Sequence, residues 1–270
     1  MPAKVLCLDI ETQRAITETF TLYKPFIHID RVIVPTRVLC FAAKWRDEDK
    51  VIFKSCWDDP VTVGGTNPEA EAAYLKMMQA AYDLCDEADI VVTYNGDRFD
   101  LDWFNWECGR LKLGRPGPYK SIDLIKTNKT WFKGAQLSLK LDWSCRQWLK
   151  DRKVPHGGTD LWHDIRWGTR DEKRAACKLM RQYNEYDTVL TGRLFEDYLP
   201  WLTVNLALYD TVAGEDDLLH CTKCNSTNVH RRGSKYFVTL AGTYNLWRCA
   251  DCNCTSKGSR RRTTTELRPV

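Results

Sequence analysis

The chain has 270 residues, 43% of them hydrophobic and 28% charged, a balance that excludes a disordered chain and suffices for one large domain or a medium one with an appendage. Its opening residues, MPAKVLCLDI, lack the apolar core of a signal peptide, and no segment offers the roughly 18 apolar residues of a membrane span, so no membrane partner is expected and the cytoplasm is the default location. The net charge of +4 hides a division, because residues 219–270 hold ten Lys/Arg against two Asp/Glu while the remainder holds 30 against 34; a basic end suited to a polyanion follows an acidic body.

A first strand is expected from about Lys4 to Glu11. Alternation puts Asp9 and Glu11 on one face and Leu8 and Ile10 on the other, so two like charges stand side by side and call for a cation or open water. RVLCFAAKW and KVIFKSCW, separated by the turn RDED, read as two more strands of an antiparallel start. A helix follows, with Asn67 as its N-cap, Pro68 at its first position and Ala72, Leu75, Tyr82 and Cys85 at near-helical spacing.

IVVTYNG reads as a buried strand ended by Asn95-Gly96, RFDLDWFNWECGRLKL as a helix stopping at Gly114, YKSIDLI as a short strand and LSLKLDWSCRQWL as a helix. Beyond the loop VPHGGTD, a long helix is expected from about Thr169 to Leu199, opened by a capping box of Thr169 and Glu172. Strands in a meander, then alternating with helices, give an α/β domain on a mixed sheet with flanking helices. The 11 tryptophans, several in DWFNW and LDWSCRQWL, are read as packing residues.

Two further acids stand out. Asp100 opens a helix just beyond a strand end, where open α/β sheets place their chemistry; taken alone, it or Asp97 beside it is an N-cap or turn residue. Asp187 shares a helix face with Tyr183, Leu179, Leu190 and Leu194 and therefore looks inward. A buried carboxylate needs a positive neighbour, yet no Lys or Arg lies one turn away on that face. A divalent site formed by Asp9, Glu11, Asp100 and Asp187 would answer both problems, since hard cations prefer carboxylate oxygens. Asp123, in SIDLI, is a lesser candidate, read as a structural acid or one that supports the site from behind.

In order and spacing, LDIET, YNGDRFD and YNEYD resemble the three motifs of the DEDD (DnaQ-like) 3′–5′ exonucleases. The match covers roughly residues 4 to 200 and implies an RNase H-like fold. It also implies that Asp9, Glu11, Asp100 and Asp187 bind two Mg²⁺ or Mn²⁺ ions. Tyr183 matches the tyrosine subtype, which includes the proofreading domains of family B polymerases; the other subtype has a His where this chain has Gln182. Asn95 and Phe99 fit the family's N-x-x-x-F-D pattern at the nucleic-acid end. The implied chemistry is hydrolysis from the 3′ end to nucleoside 5′-monophosphates, by a metal-held water that Tyr183 orients.

Seven cysteines (Cys7, Cys40, Cys56, Cys85, Cys108, Cys145 and Cys177) are scattered singly among apolar neighbours, as buried reduced thiols would be. The other five crowd the end. Cys221-x-x-Cys224 and Cys249-x-x-Cys252, 24 residues apart, can offer four thiolates to one structural Zn²⁺. The segment resembles the zinc ribbons of transposases and other DNA-handling proteins, with paired knuckles around a hairpin; Cys254 is a bystander or a substitute ligand. Arg231, Arg232, Arg248, Arg260, Arg261 and Arg262, among aromatic residues, suit phosphates and single-stranded bases.

The expected organisation is an exonuclease domain over 1–205, a linker over 206–218 and a basic zinc ribbon over 219–270. The expected partners are single-stranded 3′ ends, DNA before RNA, and a DNA polymerase or other replication protein. The alternatives are an exoribonuclease and a non-catalytic nucleic-acid-binding adaptor.

Overall fold

A computed structural model describes residues 3–21, 23, 26–63, 68–155, 157–209 and 218–264. They form two compact units, one from Lys4 to Leu194 and the other from Ala3 and the residues beginning at Phe195. Among the described residues, no helix is long and apolar enough to cross a membrane.

In the first unit the elements run in chain order as β1 (Val5–Thr12), β2 (Ile16–Thr17), β3 (Val32–Val34), β4 (Val38–Trp45), β5 (Val51–Ser55), α1 (Pro68–Glu87), β6 (Ile90–Thr93), α2 (Asp100–Arg110), β7 (Lys120–Asp123), α3 (Leu124–Thr127), α4 (Leu141–Trp148), α5 (Thr159–Trp167) and α6 (Arg170–Tyr198). Five strands make one mixed sheet in the order β5-β4-β1-β6-β7. The antiparallel start expected from the sequence is the meander β1-β4-β5, and β6 and β7 then add parallel to β1.

The alternation in β1 decides what each face of the sheet meets. Leu6, Leu8 and Ile10 pack with Phe41, with Met77 and Met78 of α1 and with Phe104 of α2. Burying a methionine of this kind stabilises the fold by roughly 2 kcal/mol. On the opposite face, Leu39 and Cys40 of β4 pack with Leu161 and Ile165 of α5 and with Cys177, Met180 and Tyr183 of α6. Asp9 lies opposite Ala42 and Glu11 opposite Cys40 in the register of the two strands, which places both acids on this second face.

α1 begins at Pro68 as expected, while Asn67 lies outside the described residues. Its buried stripe is Tyr74, Met77, Met78, Ala81 and Cys85. The spacing expected for Ala72 and Leu75 is corrected: Ala72 is exposed and Leu75 is 44% exposed, because the continuous three-and-four pattern runs one position away through Tyr74. α6 carries the expected capping box, with the Thr169 N–H donating to Glu172 Oε2 at 2.7 Å and the Glu172 N–H to Thr169 Oγ1 at 3.5 Å. α5 was not expected from the sequence. Trp103 packs against the core, whereas Trp106 is 65% exposed, against the packing role expected of it. Six of the seven single cysteines are buried, Cys56 is partly so, and all are reduced.

In the second unit, β8 (Val229–Thr239), β9 (Gly242–Cys249) and β10 (Thr255–Thr264) form an antiparallel sheet in the order β10-β9-β8. The hairpin β8-β9 was expected and β10 was not. Of the linker expected over 206–218, Leu206–Tyr209 forms a 3₁₀ turn and residues 210–217 lie outside the described residues.

Candidate active site and candidate metal centre

The site begins with the way β1 loses its parallel neighbour. β6 pairs with β1 only from Val5 to Cys7, so beyond Cys7 the edge of β1 on that side is open. The chain leaves β6 through Asn95, whose φ of 69° lies in the left-handed region that asparagine tolerates. The Asn95 N–H is held by Asp123 Oδ1 at 2.7 Å, the structural role expected of that acid. Gly96 is required next, because a Cβ there would lie 2.3 Å from Thr93 Oγ1. The turn delivers Asp100 to the open edge, where its Oδ1 accepts the Ile10 N–H at 2.7 Å, between the two acids of β1.

From the other side α6 brings Asp187, only 1% exposed. Carboxylate oxygens of Asp9, Glu11 and Asp187 lie within 4.8 Å of one another. Asp100 stands outside this trio but close enough for its charge to act on Asp9. Asp97 turns elsewhere and accepts hydrogen bonds from Ser121 Oγ and Lys126 Nζ. Phe99 precedes α2 with its ring partly exposed.

Two residues that the sequence reading missed complete the cluster. Asn184 Nδ2 donates to Asp9 Oδ2 at 2.6 Å and to the Asp9 carbonyl at 3.1 Å, fixing that side chain. Its position three before Asp187 places it on the inward face of α6, so helical spacing could have found it. Lys153 Nζ lies 2.5 Å from Asp187 Oδ2 and donates to the Tyr183 hydroxyl at 2.6 Å. This is the positive neighbour that Asp187 required. It comes from the loop after α4, and nothing in its local sequence signals the contact.

The electrostatics follow from crowding acids together, with Asp187 buried and Asp9 and Glu11 partly so. Burial is the largest influence on Asp9, and Asp100, Asp187 and Glu11 add to it, so its pKa rises well above the usual carboxylate range in spite of Lys153. Burial likewise pushes Glu11 up to about 8, with Lys153 opposing and Asp187 and Asp100 reinforcing. Burial raises Asp100 to about 7, against the pull of the Ile10 N–H. Burial alone would lower Lys153, but Asp187, Tyr183 and Asp9 outweigh it and keep the ammonium charged. Burial and Asp187 raise the Tyr183 phenol, which stays protonated. Among the described residues Lys153 is the one ammonium that acts on these raised carboxylates, and an all-oxygen set of this kind fits Mg²⁺ or Mn²⁺.

In the second unit the four expected thiols meet. Their sulfurs lie within 4.8 Å of one another, with Cys221 and Cys252 3.5 Å apart and Cys224 and Cys249 3.6 Å apart. Zinc–sulfur bonds of about 2.3 Å imply tetrahedral edges of about 3.8 Å, so the cluster has the size of a zinc site. The two knuckles are built alike. Each is followed by an asparagine in the left-handed region, Asn225 and Asn253, both at φ 60°. In each, the first cysteine's N–H bonds the carbonyl five residues on, Cys221 to Ser226 at 2.8 Å and Cys249 to Cys254 at 2.9 Å.

Cys254 is therefore the counterpart of Ser226, a turn residue outside the four, and its sulfur lies 3.7 Å from the Leu199 carbonyl oxygen. Burial leaves the Cys224 and Cys252 thiols raised, whereas at Cys249 the N–H groups of Cys252 and Asp251 outweigh burial and bring the thiol down to about 7. Backbone donors aimed at sulfur favour the thiolate that zinc requires.

The arginines expected to bind nucleic acid are spread over the sheet. Arg231 and Arg262 donate to the Tyr236 hydroxyl at 3.2 and 2.7 Å. Arg248 reaches Asn253 Oδ1 at 3.2 Å, and Arg261 reaches Thr264 Oγ1 at 3.3 Å. Arg232 is partly buried and Arg260 exposed. Lys257 lies over the rings of Phe237 and Tyr244, with Nζ 5.3 and 4.6 Å from their centroids.

No protein-family profile matches this chain. No curated protein matches it either. Among solved structures it is similar to the family B DNA polymerase from the hyperthermophilic archaeon Pyrobaculum calidifontis, at 18% sequence identity and a TM-score of 0.49, over 79% of this chain and 27% of that one. The chain thus spans about a quarter of the polymerase's length.

Proposed function

We propose that the protein is a metal-dependent 3′–5′ exonuclease of the DEDD type, tyrosine subtype, that shortens DNA from the 3′ end and releases nucleoside 5′-monophosphates. In this reading residues 1–205 are an RNase H-like exonuclease domain, 206–218 a linker and 219–270 a zinc ribbon that holds nucleic acid or a replication partner. The observation that carries it is the convergence of Asp9, Glu11 and Asp187 within 4.8 Å, with Asp100 hydrogen-bonded to Ile10 between the two β1 acids.

Asp9, Glu11 and Asp187 would hold one Mg²⁺ or Mn²⁺, and Asp9 with Asp100 a second. When bound, such ions make a nucleophilic water at neutral pH and stabilise the leaving oxygen. The protein's own groups prepare the rest. Asn184 locks Asp9, the Ile10 N–H holds Asp100, and Tyr183 offers a protonated phenol at the edge of the acid cluster to orient a water. Cys221, Cys224, Cys249 and Cys252 would hold a structural Zn²⁺.

The test is incubation of 5′-labelled single-stranded DNA and RNA oligonucleotides with Mn²⁺, beside Asp9→Ala, Asp187→Ala and EDTA controls. A ladder shortening from the 3′ end is expected, falling on the order of a thousandfold in either variant, since metal stabilisation of the transition state is worth several kcal/mol. This chemistry does not use the 2′-hydroxyl and would serve DNA or RNA alike, so the comparison of the two oligonucleotides in the same assay chooses between them. One observation favours a second reading, a non-catalytic nucleic-acid-binding adaptor: Lys153 already pairs with Asp187 where a metal would bind. Binding of the oligonucleotides without metal-dependent cleavage would select it.

A further inference from the structure

Lys153 occupies a place that four carboxylates and one lysine do not explain by neutrality. Asp9, Glu11, Asp100 and Asp187 carry four formal negative charges when ionised, and a single ammonium reaches them. Two divalent cations would offset the four and leave the ammonium in surplus by one charge. A phosphodiester carries one negative charge, so strand, ions and Lys153 together reach neutrality. Without the strand, the ammonium and a metal compete for Asp187.

The loop around Lys153 is fixed, which limits the change to its side chain. The Lys153 N–H donates to Asp142 Oδ1 at 3.0 Å. Two residues earlier, Asp151 Oδ2 accepts from the Tyr186 hydroxyl at 2.8 Å and from Arg193 Nη1 at 2.5 Å, both on α6. The Lys153 side chain is 25% exposed while Asp187 is 1% exposed, so the lysine borders solvent and the acid does not. A lysine side chain has rotatable bonds enough to redirect its ammonium while its backbone stays in place.

We infer that Lys153 is a positioning residue, a tethered cation that holds Asp187 until the phosphate of a nucleic-acid 3′ end draws its ammonium away, so that strand binding and metal binding at Asp187 reinforce each other. This rests on the reading of the carboxylate cluster as a metal site. Coupling of this kind is reciprocal, and whatever the phosphate does for metal affinity, metal does for phosphate affinity. A structural ion pair alone would show no such reciprocity.

The experiment is calorimetric titration of Mn²⁺ into the 270-residue chain, alone and with saturating thymidine 5′-monophosphate as the phosphate probe, corrected for the nucleotide's own uptake of Mn²⁺. In the wild type the nucleotide should tighten Mn²⁺ binding about tenfold, within the usual range of site coupling. Lys153→Met should bind Mn²⁺ more tightly than wild type without nucleotide and lose most of the coupling. Lys153→Gln carries the same expectation if the methionine variant does not fold, and Lys153→Arg should retain coupling.

Equal Mn²⁺ affinity and equal coupling in wild type and Lys153→Met would overturn the inference and leave the metal site standing. Mn²⁺ binding that Asp9→Asn abolishes supports that site independently of Lys153. If no variant and no wild-type sample took up Mn²⁺, the reading of the site would fail and the inference with it.

Discussion

Acids that outnumber the ammonium beside them hold protons that they would release on unfolding. Glu11, pushed up to about 8, and Asp100, to about 7, both have folded pKa values above the usual carboxylate range. The folded state therefore binds more protons than the unfolded state between about pH 4 and pH 8, and stability falls as pH rises through that window. Without metal, the melting temperature is expected to drop by several degrees from pH 5 to pH 8. Saturating Mn²⁺ should flatten the slope, because the ion replaces the protons; a metal-free melting temperature that rises over this range would contradict the assignment of these acids to one buried cluster. The acids themselves were legible from strand alternation and helical spacing. Lys153 was not, since its contact joins a loop to Tyr183 30 residues away, and the sequence stated only that Asp187 needed some cation.

At the level of the elements, the turn from β6 to α2 carries the geometry, since it alone aims Asp100 at the open edge of β1. Gly96→Ala would force a Cβ to within 2.3 Å of Thr93 Oγ1 and should cost about 1–3 kcal/mol, as overpacking in a tight site does. Thermal denaturation checks the cost, and on the exonuclease proposal activity should fall further than the loss of folded protein explains. The apolar run of β4, the apolar–acidic alternation that ends β1 and the capped helix α6 could be read from sequence because local pattern and burial agree there. α5 starts after Gly158 without a side-chain cap bond, which removed its start signal. β10 consists almost wholly of polar and basic residues and is a strand because pairing with β9 makes it one, a tertiary effect that propensity does not register.

For the whole molecule, the two units gain their stability from different sources. The first unit has extended apolar clusters on both faces of its sheet. Around the knuckles, the buried cluster consists of Cys221, Cys249 and Cys254, with Cys224, Val229 and Cys252 against it. So small an apolar cluster fits turns that a metal held by the four thiolates would reinforce. Protein purified without chelator should contain close to one zinc per chain. Chelation should remove the hydrogen-exchange protection of β8 and β9 while β1 and β6 keep theirs; full protection in metal-free protein would exclude a structural zinc. Deleting residues 219–270 should weaken oligonucleotide binding and make it less sensitive to salt, because fewer phosphate contacts release fewer counterions.

The alternation of β1 also bears on how the chain tolerates insertion and deletion. A single residue added between Val5 and Leu8 would slip the strand by one position and turn Asp9 and Glu11 toward Met77, Met78 and Phe104. Two carboxylates among those side chains would oppose folding outright. Such a frame error would be removed at the folding step rather than persisting as a folded but inactive protein, so the apolar half of the strand keeps the acidic half in register.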